Sequence, residues 1–136
     1  MTRKEAREQA FIIIFEKEFN NEYSLDEIID AAAESDLFVA DDFARQLAEK
    51  TLSEMNMLDE KITSNLKGGW KLGRISKVSL AILRLAVCEM INFSDIPVSV
   101  SINEAVELAK KYAAEEDSSF VNGLLSSVNK GMTADV

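Results

Sequence analysis

Arg3, Lys4 and Arg7 stand at i, i+1 and i+4 at the start of the chain, a spacing that gathers three cations on one side of a helix. Such a cluster can grip phosphate. Positive charge in a first turn opposes the helix macrodipole at roughly 0.3–1 kcal/mol per exposed charge, so stability alone would place Asp or Glu there. The alternative is a solvated terminus, partly neutralised by Glu5 and Glu8. A second candidate is Lys67-Gly68-Gly69-Trp70-Lys71-Leu72-Gly73-Arg74, which combines backbone freedom, an aromatic plane and cations. It could stack a base on Trp70 and hold its phosphates, or Trp70 could close the core at a helix junction. Arg84 lies inside an apolar stretch and needs a partner if buried; Glu104 or Glu107 could supply it. Glu115, Glu116 and Asp117 are consecutive, so they point in different directions around a helix and suit a solvated, capping face better than a metal site.

Other chemistry is excluded or poorly supported. The chain has no histidine and one cysteine, Cys88. No Ser-His-Asp or Cys-His nucleophile system, no His-containing zinc site, no intrachain disulfide and no CxxC pair can be built from it. Cys88 sits between Val87 and Glu89 in the most apolar stretch, where a thiol is usually buried and inert. No close pair of acids stands out for acid–base work. The expectation is a protein without cofactor or metal that is not an enzyme.

Charge sharpens this. The net charge is −9 over 136 residues, which opposes simple wrapping of nucleic acid. Its distribution is uneven: residues 1–70 carry 8 basic and 16 acidic side chains, and residues 71–136 carry 7 and 8. No acid occurs between Lys61 and Cys88, while Lys61, Lys67, Lys71, Arg74, Lys77 and Arg84 are basic. An acidic protein with local basic islands can touch phosphate at one face although its overall field repels it. RNA binding with help from a partner fits better than RNA binding alone.

The elements that position these residues are helical. Five glycines and one proline are too few for the turns of a β-sandwich or barrel. Periodicity predicts a first helix over Arg3 to Phe19 and a short second one opened by a Ser24–Glu27 capping box. A third pattern, capped by Asp41 or Asp42 and running through Phe43, Leu47, Leu58 and Leu66, is one helix or two with a break near Asn56, stopped by Gly68-Gly69. Ser76 precedes a helix apolar on nearly every face, which belongs at the centre of a bundle. Ser101 and Glu104 have the spacing of a second capping box, and Glu115-Glu116-Asp117 lies before a last helix with Phe120, Val121, Leu124, Leu125 and Val128, ended by Gly131. The fold class is all-α: a compact bundle of six to seven helices forming one domain over residues 1–136. No stretch approaches the roughly 20 uninterrupted apolar residues of a membrane span, and the start has no apolar core of a signal peptide. A cytoplasmic protein is expected.

Three segments are recognisable. Arg3-Lys4-Glu5-Ala6-Arg7 runs into Ala10 and Phe15. Ala81-Ile82-Leu83-Arg84-Leu85-Ala86 is followed by Glu89. Pro97 and Val100 precede Ile102-Asn103-Glu104-Ala105-Val106-Glu107-Leu108-Ala109-Lys110, and Phe120-Val121-Asn122-Gly123-Leu124-Leu125 follows. In this order and spacing they resemble the NusB family of bacterial transcription antitermination proteins, over nearly the whole chain.

The resemblance implies two small packed helical bundles and a non-enzymatic adaptor. Its implied partners are NusE, a small-subunit ribosomal protein, and boxA, a U-rich single-stranded RNA, with other Nus factors and RNA polymerase reached indirectly, to promote ribosomal RNA transcription. A homodimer hiding the RNA face is also implied for some members. Arg3, Lys4 and Arg7 match the basic start of the family's RNA-contacting helix, and Phe120 matches an aromatic placed for RNA. Phe15 and Ser79 fall near the NusE-facing positions. Asn103, Glu104 and Asn122 are read as structural, making caps and interhelical hydrogen bonds. Glu5 replaces part of a richer arginine run, and Ser119 stands where a lysine can occur. About three phosphate contacts remain, for a slope of log K against log salt of about −2. A similar domain opens a family of ribosomal RNA methyltransferases; this chain, ending at Val136, is expected to be the free-standing adaptor. The alternative from another class is a protein-only interaction module, homodimeric or meeting an acidic partner.

Overall fold

The structure, a computed structural model, describes residues 2–134. Among them are seven α-helices and no strand: α1 (Arg3–Phe19), α2 (Leu25–Glu34), α3 (Asp42–Ser53), α4 (Met55–Ser64), α5 (Lys77–Asn92), α6 (Val98–Tyr112) and α7 (Glu115–Ala134). A short 3-10 turn, Leu72–Arg74, lies between α4 and α5. No described helix is long and apolar enough to cross a membrane. The chain divides into two compact units, one ending at Ser53 and one beginning at Glu54.

In the first unit α1 packs against α3 and α2. Thr2 opens α1 by accepting the Glu5 N–H at 3.1 Å. Ala6, Ala10, Ala44 and Ala48 are all buried, and such small side chains let two helix axes approach closely. Phe11, Ile13, Ile14, Ile29, Phe43 and Leu47 fill the remaining core. The Ser24–Glu27 capping box is formed in both directions, at 3.1 and 2.9 Å. Asp41 caps α3 by accepting the Phe43 N–H at 3.0 Å.

In the second unit α5 packs against α4, α6 and α7. Every residue from Ser79 to Met90 is buried, which is why its sequence is apolar all round. Arg84 and Glu89 are the charged exceptions. Arg84 is paired with Asp59 of α4, through Nε–Oδ1 at 2.8 Å and a second nitrogen on Oδ2 at 2.9 Å. The partner thus comes from the preceding helix, not from Glu104 or Glu107, because α4 carries an acid opposite the buried guanidinium.

Several predicted boundaries move. The third pattern is two helices, separated at Glu54. α4 ends at Ser64, before the glycines, and Asn65 closes it. Gly68 and Gly69, with φ of 63° and 76°, form instead the two centre positions of a tight turn in which the Trp70 N–H reaches the Lys67 carbonyl at 3.2 Å. α6 begins at Val98 after Pro97, whose φ of −58° already suits a helix start. Ser101 therefore sits one turn inside, with its Oγ buried and unpaired, and is no cap. α7 starts at Glu115, so the three acids form its first turn, and it runs through Gly131 to Ala134. One glycine near a helix end costs about 1 kcal/mol but does not stop it.

Candidate nucleic-acid interface

The basic start of α1 is built on an aromatic. Arg3 places its guanidinium 4.1 Å from the centroid of the Phe43 ring, and Arg7 lies 5.8 Å from the same centroid. Both distances allow cation–π attraction. Phe43 is held there by Gln9, a buried residue that sequence reasoning passed over. Its amide donates to the Val39 carbonyl at 3.3 Å and accepts from the Asp41 N–H at 2.9 Å. These two bonds tie the segment entering α3 to α1. A polar residue among the apolar positions of α1 was the available signal.

The three cations are not equivalent. Arg3 and Lys4 are exposed, whereas Arg7 is only 6% exposed. Arg3 and Lys4 offer charge to solvent; Arg7 braces the Phe43 ring beneath them. A hollow of about 720 Å³ beside α1 and α2 combines apolar side chains such as Ile12, Ile28 and Leu37 with the acids Glu16, Glu27, Asp30 and Glu34, a charge that disfavours phosphate.

In the second unit Phe120, near the start of α7, is half-buried and pairs with Trp70, ring centroids 6.3 Å apart and tilted by 33°. Trp70 does not close the core: it is 57% exposed. α7 is fixed beside this loop by Asn65, whose Oδ1 accepts the Ser127 hydroxyl at 2.6 Å while its amide donates to the Lys61 carbonyl at 2.8 Å. Asp117 holds the opening of α7 by accepting the Ala114 N–H at 3.0 Å. Its neighbours Glu115 and Glu116 are exposed in that first turn, where negative charge suits the macrodipole. No group of three or more potential metal ligands occurs among the described residues.

The remaining sequence candidates fall elsewhere. Phe15 is half-buried in an aromatic stripe along α1, 5.7 Å from Phe11 and 4.9 Å from Phe19 between centroids. Ser79 is 1% exposed and its Oγ is unpaired, so it presents no surface to a partner: it faces inward on the central helix. Asn103 and Asn122 are exposed, and among the described residues neither makes the interhelical hydrogen bond expected of it.

Residues 4–130 match the NusB family. The transcription antitermination protein NusB of Oceanobacillus iheyensis is 40% identical over 128 residues, covering 94% of this chain and 98% of that protein. The solved structure of T. maritima NusB superposes with a TM-score of 0.85 at 32% identity, covering 96% of this chain and 92% of that one. A chain from the crystal structure of antitermination factors NusB and NusE in complex with dsRNA gives a TM-score of 0.83 at 27% identity, covering 95% and 96%. With its pattern matched almost from end to end and a relative of nearly the same length, the chain belongs to the NusB family.

Proposed function

We propose that this protein is a transcription antitermination adaptor, not an enzyme, that pairs with the ribosomal protein NusE and holds boxA-type single-stranded RNA. The observation that carries the adaptor reading is the near full-length likeness to a chain solved with NusE and dsRNA; the single-stranded target is this reading's own. Arg3 and Lys4 supply exposed positive charge for phosphate, Arg7 supports Arg3 through Phe43, and Phe120 offers an aromatic face to a base. Single-stranded RNA is recognised by such a mixture of stacking and phosphate contact. With a net charge of −9, the protein contributes few contacts of its own, and the partner completes the RNA surface. The stripe through Phe15 ends in Phe19, 57% exposed, an apolar surface suited to protein contact.

The test is a charge reversal, Arg3→Glu with Lys4→Glu. RNA binding by the NusE complex is lost while pairing with NusE, followed by isothermal titration calorimetry, is kept. Loss of pairing with RNA affinity unchanged would instead make the basic helix a protein-docking surface.

A further inference from the structure

We propose that the loop Lys67–Arg74 forms, with Phe120, a second RNA contact: a subsite in which one base stacks on Trp70 and the neighbouring phosphates meet Lys67, Lys71 and Arg74. It rests on the RNA-adaptor function above and adds to it the residues of a loop.

The indole is exposed yet held. The turn with two positive-φ glycines carries it outward, and Phe120 stands at a separation where aromatic rings attract each other. The two rings make one stepped apolar wall. Trp70 and Phe120 share a cleft of about 290 Å³ with Asn65, Lys67, Ser119 and Ser127, which brings polar groups to the edge of a planar ligand. Trp70 also lines a second, open hollow with Gly68, Gly69, Lys71 and Arg74. The indole therefore separates an aromatic cleft from a cationic one.

Charge selects the occupant. Lys67, Lys71 and Arg74 are exposed, and none forms an ion pair among the described residues. The chain has no acid from Lys61 to Cys88 although it is acidic as a whole. Unpaired cations flanking an exposed aromatic wall complement a phosphodiester carrying a base. The loop adds about three phosphate contacts, which steepens the slope of log K against log salt for single-stranded RNA by about 2.

Trp70 is the only tryptophan of the chain, so the site reports on itself. The experiment titrates a boxA-type RNA into the complex of the full chain with a NusE protein lacking tryptophan. Anisotropy of labelled RNA reads binding, and tryptophan emission reads the subsite. Binding is expected to quench Trp70. W70A should weaken RNA at least ten-fold, W70F should retain most of the affinity, and K67A/K71A/R74A should make the salt slope shallower by about 2. Circular dichroism melts check that the variants fold, and calorimetry checks that they pair with NusE. RNA that binds without changing Trp70 emission, and binds W70A as tightly as wild type, overturns the subsite and leaves the adaptor function standing. A triple variant that loses NusE pairing while its residual complex keeps RNA affinity overturns it in favour of protein docking. No RNA binding in any arm overturns both.

Discussion

Arg3 and Phe43 are forty residues apart in sequence, yet the guanidinium of one lies 4.1 Å from the ring centre of the other. That contact restricts a terminal side chain that would otherwise sample many rotamers. It also gives Phe43 two roles, core filling inside and support for a cation outside. The variant F43L separates them. It keeps the core apolar, so stability should fall by less than about 1.5 kcal/mol. It removes the ring, worth about 0.5–1 kcal/mol at such a site, so RNA affinity of the NusE complex should drop a few-fold. Urea denaturation and anisotropy measure the two effects; equal RNA affinity in F43L would show that Arg3 needs no support.

Arg84 and Asp59 bind through two parallel hydrogen bonds with side chains only 11% and 22% exposed. Removing one member of a buried pair costs about 3–5 kcal/mol. Arg84 has further interactions, so D59A should lose no more than about 3 kcal/mol. D59N, which keeps an acceptor, should lose less. The urea midpoint checks both, and an unchanged midpoint in D59A would refute the pair's importance.

Two serines predict opposite responses. Ser24 caps α2 in both directions of the box, and S24A should cost about 1 kcal/mol. Ser79 buries an unpaired hydroxyl. Leaving such a group unsatisfied costs about 1–3 kcal/mol, so S79A should be neutral or stabilising and should leave NusE pairing unchanged. Thermal melts and calorimetry distinguish these outcomes, and weakened pairing in S79A would restore the partner-facing role.

Cys88 is 0% exposed in α5. Its reaction with a colourimetric disulfide reagent should be slow in the native protein and fast in denaturant, because only opening of the bundle admits the reagent. Rapid reaction of the folded protein would contradict this burial.

The local signals in the sequence were good guides to elements and poor guides to distant partners. Apolar period alone located α1 from Arg3 to Phe19, as found. The same S-x-x-E spacing capped α2 but not α6, because α6 begins directly after Pro97, at Val98, three residues before Ser101. A capping motif cannot be read apart from what precedes it. Arg84 announced that it needed an acid, but which helix supplies Asp59 depends on tertiary packing. The candidate site followed the same rule. The cations and Phe120 were visible as residue types, whereas the Phe43 support, the Gln9 tether and the Trp70–Phe120 pair all join segments far apart in sequence.

RNA recognition through a partner is tested most directly by fluorescence anisotropy of a labelled boxA-type RNA. The protein is titrated alone and then with equimolar NusE, each at two salt concentrations. Weak binding alone that tightens sharply with NusE, and loosens as salt rises, is the expected result. A folded protein that binds no RNA under either condition would contradict the adaptor function and leave a protein-only scaffold.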